Sequence, residues 1–221
     1  FLYWCRTGKF TNNARLTMLA AKLSTPTAEW LKGIGVGITG GPKEGDTTAS
    51  YGCEGLAGTA IKTLYNKVVE SGVPVMLNTK AEKITTNEKG EACGIVATGE
   101  TGNTITINAK SVVVATGGFS KNVELRMAYD SIWGMLDEKV LSTNHPGATG
   151  DGVKMLQKLN ADFIQMGNIQ LLPLGDPQTG SLSGNIEHGV DSRIFVNKSG
   201  LRYGDEGGRR DDMTRDLFAQ E

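Results

Sequence analysis

The feature that most restricts the fold is a short apolar run followed by glycines. Residues 111–115 read S-V-V-V-A, and T-G-G-F follows at residues 116–119. A continuous β-branched run of this kind is typical of a strand that is buried on both faces. The glycines allow backbone amides to come against a planar ring or a diphosphate. Taken alone, A-T-G-G favours a strand that merely turns. The neighbouring elements are needed to tell such a turn from one that contacts a cofactor.

The segments upstream of this run predict a helix, a short strand and a β-meander. Apolar residues recur at three- and four-residue spacing over residues 56–71, and Gly72 ends that helix. Residues 73–77 predict a short buried strand. The meander is predicted from three further strands, at residues 81–86, 92–98 and 104–108. A meander inserted before the last buried strand is characteristic of dinucleotide-binding domains that hold a flavin.

The remaining elements are predicted from local start and stop signals. Residues 14–24 form one helix, and Thr25 caps a second that has Pro26 at its first position. Residues 33–58 are a glycine-rich stretch whose length is unusual unless it is functional. Further helices are predicted at residues 122–130, 151–159 and 209–218, and short strands at 163–164 and 194–196.

A second glycine motif, T-G-D-G at residues 149–152, opens the helix at 151–159. A helix N-terminus presents unpaired N–H groups that suit phosphate. Asp151 is equally an ordinary N-cap, and in isolation the cap is favoured. The motif alone therefore leaves both interpretations open.

Composition excludes several classes of function. The formal net charge is −1, with mixed signs, which argues against a nucleic-acid surface. The three cysteines are far apart and there are two histidines, so neither a disulfide framework nor a zinc site is expected. No apolar run is long enough to span a membrane. The chain opens on Phe1 without a signal peptide, and we expect it to be an internal piece of a longer protein, which leaves its compartment open.

Four motifs in order resemble the soluble flavoprotein reductases related to fumarate reductase, flavocytochrome c and urocanate reductase. The motifs are A-T-G-G-F at residues 115–119, S-T-N-H-P-G-A-T-G-D-G at 142–152, I-Q-L-L-P at 169–173, and the stretch from I-F-V-N at 194–197 to D-E-G-G-R-R-D at 205–211. Together, in this order and spacing, they are far more specific than any one of them.

The resemblance implies an α/β architecture in two parts. Residues 1–168 are expected to be an incomplete FAD-binding domain of the dinucleotide-binding, glutathione-reductase-like type, with the inserted β-meander. Residues 169–221 are expected to begin an α+β capping domain. The glycine-rich βαβ turn of the family does not occur in the chain, and we therefore expect that this piece alone does not retain FAD stoichiometrically.

The resemblance also implies the chemistry: reduction of a carbon–carbon double bond conjugated to a carboxylate. Arg210 corresponds to the arginine that protonates the substrate, and Glu187 to the acid that supplies protons to it. The expected flavin contacts are Ala81, Glu82, Ala115, Thr116, Gly117, Gly118, Thr149, Gly150 and Asp151. Without the resemblance, Arg210 is expected to be a surface arginine that pairs with Asp211 or Glu206.

One position departs from the family pattern. Leu172 stands where fumarate reductases of this type have a histidine that helps bind a substrate carboxylate. A leucine cannot donate a hydrogen bond, so a substrate with one carboxylate and an apolar or aromatic remainder fits better than fumarate, for example an acrylate-type or urocanate-like enoate. Two interpretations of His188 stay open: it replaces the missing group, or it is a lone surface histidine, which is favoured.

Two alternatives stay open at this stage. The first is a dehydrogenase of the same scaffold, of succinate or 3-ketosteroid type. The second is a structural module without activity. The electron donor, whether a haem or FMN domain or an NADH-linked partner, is not identifiable from these residues.

Overall fold

The computed structural model describes residues 1–43, 50–176, 178–181 and 194–220. The chain divides into two compact units, Phe1–Leu77 and Asn78–Glu221. The first contains α1 (Leu2–Thr7), α2 (Ala14–Gly33), β1 (Ile38–Gly40), β2 (Tyr51–Cys53) and α3 (Leu56–Glu70). The second contains β3 (Lys80–Thr86), β4 (Ala92–Thr98), β5 (Thr104–Asn108), α4 (Val123–Tyr129), α5 (Asp151–Gln157) and α6 (Arg210–Phe218).

In the first unit, α2 is one continuous helix and not the two that were predicted. The side chain of Asn13 caps it by accepting hydrogen bonds from the backbone N–H of Arg15 and Leu16, both at 3.1 Å. Pro26 lies inside the helix, where it removes a single backbone donor. The hydroxyl of Thr25, which was expected to cap a new helix, instead hydrogen-bonds the Tyr51 hydroxyl on β2 at 2.7 Å.

The glycine-rich stretch of the first unit contains a small antiparallel sheet. β1 pairs with β2 in a register that places Thr39 opposite Gly52. The helix α3 follows at once and confirms the prediction for residues 56–71. The predicted strand at residues 73–77 is wrong: those residues form no regular element, and Val73 and Leu77 are 53% and 68% exposed.

The second unit is organised around the predicted meander. β3, β4 and β5 form an antiparallel sheet in that order, with Ile84 opposite Ile95 and Ala97 opposite Ile105. Helix α5 contacts β3. Ile84, Ala97, Leu125, Leu136, Met155 and Met213 are the buried apolar side chains of this unit among the residues described. The meander prediction is therefore confirmed, as are the helices at α4, α5 and α6.

The predicted buried strand at residues 111–115 is wrong. Across the described parts of the chain no strand pairs with it, and Val113 is 89% exposed. A β-branched run favours an extended backbone, but a strand exists only where a neighbour completes its hydrogen bonds. The short strand at 163–164 is also not formed, and 194–196 contributes only an isolated bridge between Val196 and Arg202.

Candidate functional site

The two glycine motifs lie side by side in the second unit. The backbone N–H of Gly150 donates to the Gly118 carbonyl at 3.2 Å, and that of Lys121 donates to the Ala148 carbonyl at 2.9 Å. The Asn122 side chain donates to the Thr149 carbonyl at 3.0 Å while its oxygen caps α4. We call residues 114–118 together with 148–152 the glycine cradle. Two segments that are separated in sequence thus form a single backbone surface.

Glycine is required where the two segments touch. Gly150 has φ +75°, and a Cβ there would lie 2.5 Å from Leu125 Cδ1 and 2.8 Å from Phe119 Cβ. A Cβ on Gly152 would meet the hydroxyl of Thr116 and would lie 2.8 Å from Val114 Cγ1. Contacts this short leave no room for a side chain, so the close approach depends on these two glycines.

Gly117 and Gly118 have the opposite surroundings. Both are exposed, and a Cβ on either would meet nothing within 4 Å. Among the described residues, neither amide N–H donates a hydrogen bond to another backbone group. Exposed, unblocked backbone donors beside a tightly packed turn are what a planar ring or a diphosphate needs. The glycine cradle therefore fits the expected flavin.

The other expected flavin contacts belong to the same unit. Asp151 is the first residue of α5, and Gly150 is its N-cap, so the interpretation of Asp151 as the N-cap is wrong. Ala81 lies on β3 opposite Ala97, and Glu82 occupies an irregularity in the pairing and forms an exposed ion pair with Lys80 at 3.6 Å. Because α5 contacts β3, these residues are joined to the cradle through that helix.

Arg210 is the first residue of α6, and its side chain contacts the I-Q-L-L-P segment. Its Nη1 donates to Gln170 Oε1 at 3.1 Å. A cavity of about 480 Å³ is lined by both of these side chains and by Phe119, Asn144 and Leu172. Phe119 directly follows the exposed glycines of the cradle. The Gln170–Arg210 pair thus faces a chamber of the size that small-molecule sites have.

The surface pairing that the sequence offered for Arg210 does not occur. Glu206 accepts hydrogen bonds from Arg202 instead, with the closest approach at 2.5 Å. Asp211 accepts from Arg209 at 3.0 Å and is also near Arg215. Among the residues described, no carboxylate pairs with the side chain of Arg210. Arg209 and Arg210 are therefore distinct, since one is neutralised by acids and the other is held by a neutral amide.

Glu206 anchors the loop that leads into α6. Its carboxylate is buried and accepts from the Arg202 guanidinium and from the backbone N–H of Phe195 at 2.7 Å. The Arg202 hydrogen bonds, then those from backbone N–H groups, lower the pKa of Glu206 to about 2. Phe195 stacks on Tyr203 with ring centroids 5.9 Å apart. The start of α6 is thereby tied to a short hairpin.

Arg126 is a second arginine at the cavity, and the sequence offered no sign of its role. It is 5% exposed, and it donates to the carbonyls of Val140 at 2.6 Å and Asp137 at 2.8 Å. Its Nε is buried and has no hydrogen-bond partner in the described part of the chain. Burial lowers the pKa of Arg126, and the nearby Asp137 carboxylate acts in the opposite direction. It holds the loop after α4 in place and puts positive charge behind the cavity.

A second cavity of about 380 Å³ adjoins the first. Both are lined by Ser120, Arg126, Asn144, Gln170 and Leu172, so the two chambers share a wall. The second chamber adds apolar side chains, including Val140, Leu141, Leu217 and Phe218. Leu172 is half-buried and stands on the shared wall. Lys139, Ser142, Asp176 and Thr214 line it as well, so a cavity of mixed polarity lies next to the chamber that Arg210 lines.

Two expected site residues, Glu187 and His188, lie outside the described residues. Within the part of the chain that the structure covers, no group of three or more acidic, histidine or cysteine side chains is arranged to hold a metal ion. The helices in that part are all too short or too polar to cross a bilayer.

Comparison with known proteins gives a family match and several relatives. A family profile described as FAD binding domain matches residues 45–221. The chain is 41% identical over 173 residues to a urocanate reductase of Eggerthella lenta, covering 76% of this chain and 28% of that protein. It is 31% identical over 159 residues to an NADH:acrylate oxidoreductase of Vibrio harveyi, covering 72% of this chain and 16% of that protein.

A solved structure has the same fold over almost the whole chain. It is the open conformation of a flavocytochrome c3 fumarate reductase, with a TM-score of 0.79 and 27% identity. The match covers 98% of this chain and 38% of that one. The chain therefore spans well under half of the proteins it resembles.

Proposed function

The chain belongs to the FAD-binding domain family, and from this premise we propose that it forms the flavin-facing and substrate-facing part of an enoate reductase. The reaction proposed is reduction of a carbon–carbon double bond conjugated to a carboxylate. One observation carries the proposal: Arg210 lines a cavity next to the glycine cradle, is held by the neutral side chain of Gln170, and has no acidic partner among the described residues.

The cofactor proposed is FAD, in keeping with the family. The exposed backbone of Gly117 and Gly118 would receive it, with Ala115, Thr116, Thr149, Gly150 and Asp151 completing the glycine cradle and Ala81 and Glu82 lying on the adjoining strand β3. When bound, FAD supplies the hydride for one carbon of the double bond. The glycines contribute by leaving that surface free of side chains.

Arg210 is proposed to supply the proton to the other carbon. A guanidinium keeps its proton at any ordinary pH, so the transfer has to be transient and the proton replaced at once by a carboxylic acid. Glu187 is the acid proposed for that replacement. The charge of Arg210 also stabilises the negative charge that develops on the substrate, and a neutral partner such as Gln170 leaves that charge undiminished.

The proposed substrate is an enoate with one carboxylate and an apolar or aromatic remainder. Leu172 offers no hydrogen bond for a second carboxylate, and the adjoining chamber has the apolar side chains of Leu217 and Phe218 among its polar ones. Relatives named for urocanate and for acrylate support this class. His188 is proposed as a substrate contact that takes the place of the histidine absent at Leu172.

The domain organisation is part of the same proposal. Residues 1–168 are proposed to belong to the FAD-binding domain of dinucleotide-binding type, and residues 169–221 to begin the capping domain. The match to a flavocytochrome supports a redox partner that carries haem, and the match to an NADH-linked enzyme supports a nicotinamide-dependent one. The intact protein would receive its electrons from one of these.

The test uses the intact protein that carries this chain, supplied with reduced viologen and a panel of acrylate, cinnamate, urocanate and fumarate. Arg210→Ala is expected to lower kcat for the preferred enoate by roughly 10²–10⁴-fold, the usual contribution of a positioned acid. Arg209→Ala is the matched control, because that side chain is already paired with Asp211, and it is expected to change kcat less than about threefold.

Three outcomes would contradict the proposal. Turnover of no enoate by the wild type would exclude a reductase, and oxidation of the saturated acids with an artificial acceptor would then favour the dehydrogenase. Unchanged turnover by Arg210→Ala would remove its assigned role. Loss of turnover in Arg209→Ala alone would transfer that role to the neighbouring arginine.

A further inference from the structure

A loop after α4 is held rigidly by one carboxylate. Asp130 accepts hydrogen bonds from the backbone N–H groups of Trp133 at 2.7 Å, Met135 at 2.9 Å and Leu136 at 3.2 Å. Burial acts to raise the pKa of Asp130, but these backbone donors outweigh it and lower the pKa below its ordinary value. Leu136, at the end of the loop, is 1% exposed. These hydrogen bonds and the burial of Leu136 hold the loop, and it presents Trp133 in a defined direction.

Trp133 uses both its polar and its apolar surface. The indole Nε1 donates to the Ile169 carbonyl at 2.8 Å. The ring meets Phe218 edge to face, with centroids 6.2 Å apart and planes at 83°. The guanidinium carbon of Arg215 lies 5.3 Å from the ring centroid, within the range of a cation–π contact. The side chain is thus fixed by three contacts besides the loop that carries it.

These contacts fall on the two segments that form the Gln170–Arg210 pair. Ile169 immediately precedes Gln170 in sequence. Arg215 and Phe218 both lie on α6, the helix that begins at Arg210. One rigid side chain therefore binds the backbone beside the glutamine and packs against the helix that carries the arginine.

The Gln170–Arg210 pair is held by few contacts of its own. Gln170 and Arg210 are both exposed, and a single side-chain hydrogen bond of 3.1 Å joins them. Fixing long side chains of this kind costs rotamer entropy of the same order as the contribution of one hydrogen bond. The distance between their backbones consequently has to be set by other contacts.

We propose that Trp133 is a positioning residue that sets the distance between the Gln170 segment and α6, and so the direction in which Arg210 points into the cavity. The proposal rests on the proposed function of Arg210. Trp133 itself touches neither the substrate nor the cofactor in this assignment. It acts through the hydrogen bond to the Ile169 carbonyl. Loss of the indole N–H alone should therefore slow the proton-transfer step.

The experiment compares Trp133→Phe with wild type in the intact, FAD-loaded protein. Phenylalanine retains a ring against Phe218 and removes the hydrogen bond to Ile169. We expect kcat for the preferred enoate to fall by about tenfold, as small misplacements of a catalytic group do, with KM changed less than about twofold. The solvent deuterium isotope effect on kcat is expected to rise, because proton transfer becomes more rate-limiting. Trp30→Phe, a matched change in the other unit, is expected to leave both constants unchanged.

A double-variant cycle tests whether Trp133 acts through the pair. If it does, Trp133→Phe added to Gln170→Ala lowers kcat no further than Gln170→Ala alone, whereas independent effects multiply. Asp130→Asn weakens the loop without changing the indole and is expected to lower kcat in the same direction. This second variant keeps the test decisive should Trp133→Phe lose FAD or thermal stability.

The outcomes separate this inference from the proposed function. If Arg210→Ala loses activity while Trp133→Phe and Asp130→Asn retain wild-type kcat and isotope effect, Trp133 is not a positioning residue and the function stands. Multiplying losses in the cycle would likewise reject action through Gln170. If Arg210→Ala itself keeps full activity, the proposed function fails and this inference fails with it.

Discussion

The glycine cradle and the Gln170–Arg210 pair belong to the same compact unit but are built in opposite ways. In the cradle, backbone contacts backbone, and the side chains that matter are the ones that are missing, at Gly150 and Gly152. At the pair, two long exposed side chains meet, and the backbone beneath them is set by Trp133. The geometry of a backbone surface depends on the residue type at a few positions. The geometry of a side-chain pair depends on all the contacts that set the distance between the two backbones.

This difference predicts how each region responds to substitution. The cradle should tolerate no added atom at its buried glycines. On its exposed side, Gly118 should tolerate a side chain in the absence of cofactor, whereas Gly117 has φ +75° and would be strained by one. The arginine region should instead respond gradually, through charge and orientation.

The largest effect is expected from Gly150→Ala. The new methyl group would lie 2.5 Å from Leu125 Cδ1, and φ is +75°. Strain in the left-handed region and overpacking together are expected to reduce the free energy of unfolding by about 2–4 kcal/mol, measured by chemical denaturation. Gly58→Ala, in open space within α3, is the control and is expected to raise it by about 0.5–1 kcal/mol. Equal responses would show that the cradle is not close-packed.

Gly118→Val tests the exposed side of the cradle. A Cβ there would meet nothing within 4 Å, so the free energy of unfolding without cofactor should change little. The same side chain would occupy the surface proposed for the flavin, and FAD affinity is expected to fall at least about tenfold, equivalent to about 1.4 kcal/mol. Fluorescence titration with FAD of the intact protein, freed of its cofactor, measures this, with Gly33→Val as control. Undiminished affinity would move the flavin away from Gly118.

The smallest effect is a pH dependence at the start of α6. The pKa of Glu206 is lowered from 4.5 to about 2, so its carboxylate stabilises the folded state fully above about pH 4.5. That contribution is lost as the pH falls from about 4.5 to about 2, because over this range the unfolded state takes up a proton that the folded state does not yet bind. Denaturation of wild type and Glu206→Gln should therefore converge over this range.

The control for the pH experiment is Glu70→Gln, which removes an exposed carboxylate paired with Lys67. Its difference from wild type should stay small at every pH, because exposed ion pairs contribute little. A constant difference between wild type and Glu206→Gln from pH 5 to pH 2 would contradict the lowered pKa.

Much of the fold was predictable because its signals are local. The meander follows from alternation and turn residues, and α3 follows from apolar spacing that ends at Gly72. The incorrect predictions concern segments whose secondary structure depends on contacts with residues elsewhere in the chain. Residues 111–115 have the composition of a buried strand but pair with none of the described strands. Thr25 and Pro26 have the sequence signal of a new helix, but both lie inside the continuous helix α2.

The candidate site divides in the same way. Arg210 and the two glycine motifs were identified from the sequence through an ordered set of motifs, and the structure brings the two motifs together. Gln170 was part of a quoted motif without a role, and Arg126 and Trp133 carried no signal. Nothing in the spacing of residues 126, 133 and 170 indicates that they meet, since long-range side-chain contacts leave no periodicity in a sequence.

Local sequence signals specify the positions that lack a side chain, the helix α3 with its apolar face and the order of the three meander strands, since these depend on conformational freedom and periodicity within a few residues. Only the tertiary structure decided that Gly150 lies against Phe119 and Leu125, that Arg210 is held by a neutral amide, and that Trp133 joins the two segments carrying that pair. The physical reason is that each of these contacts joins residues far apart in the chain, and their energies exist only once packing has fixed the distance between them.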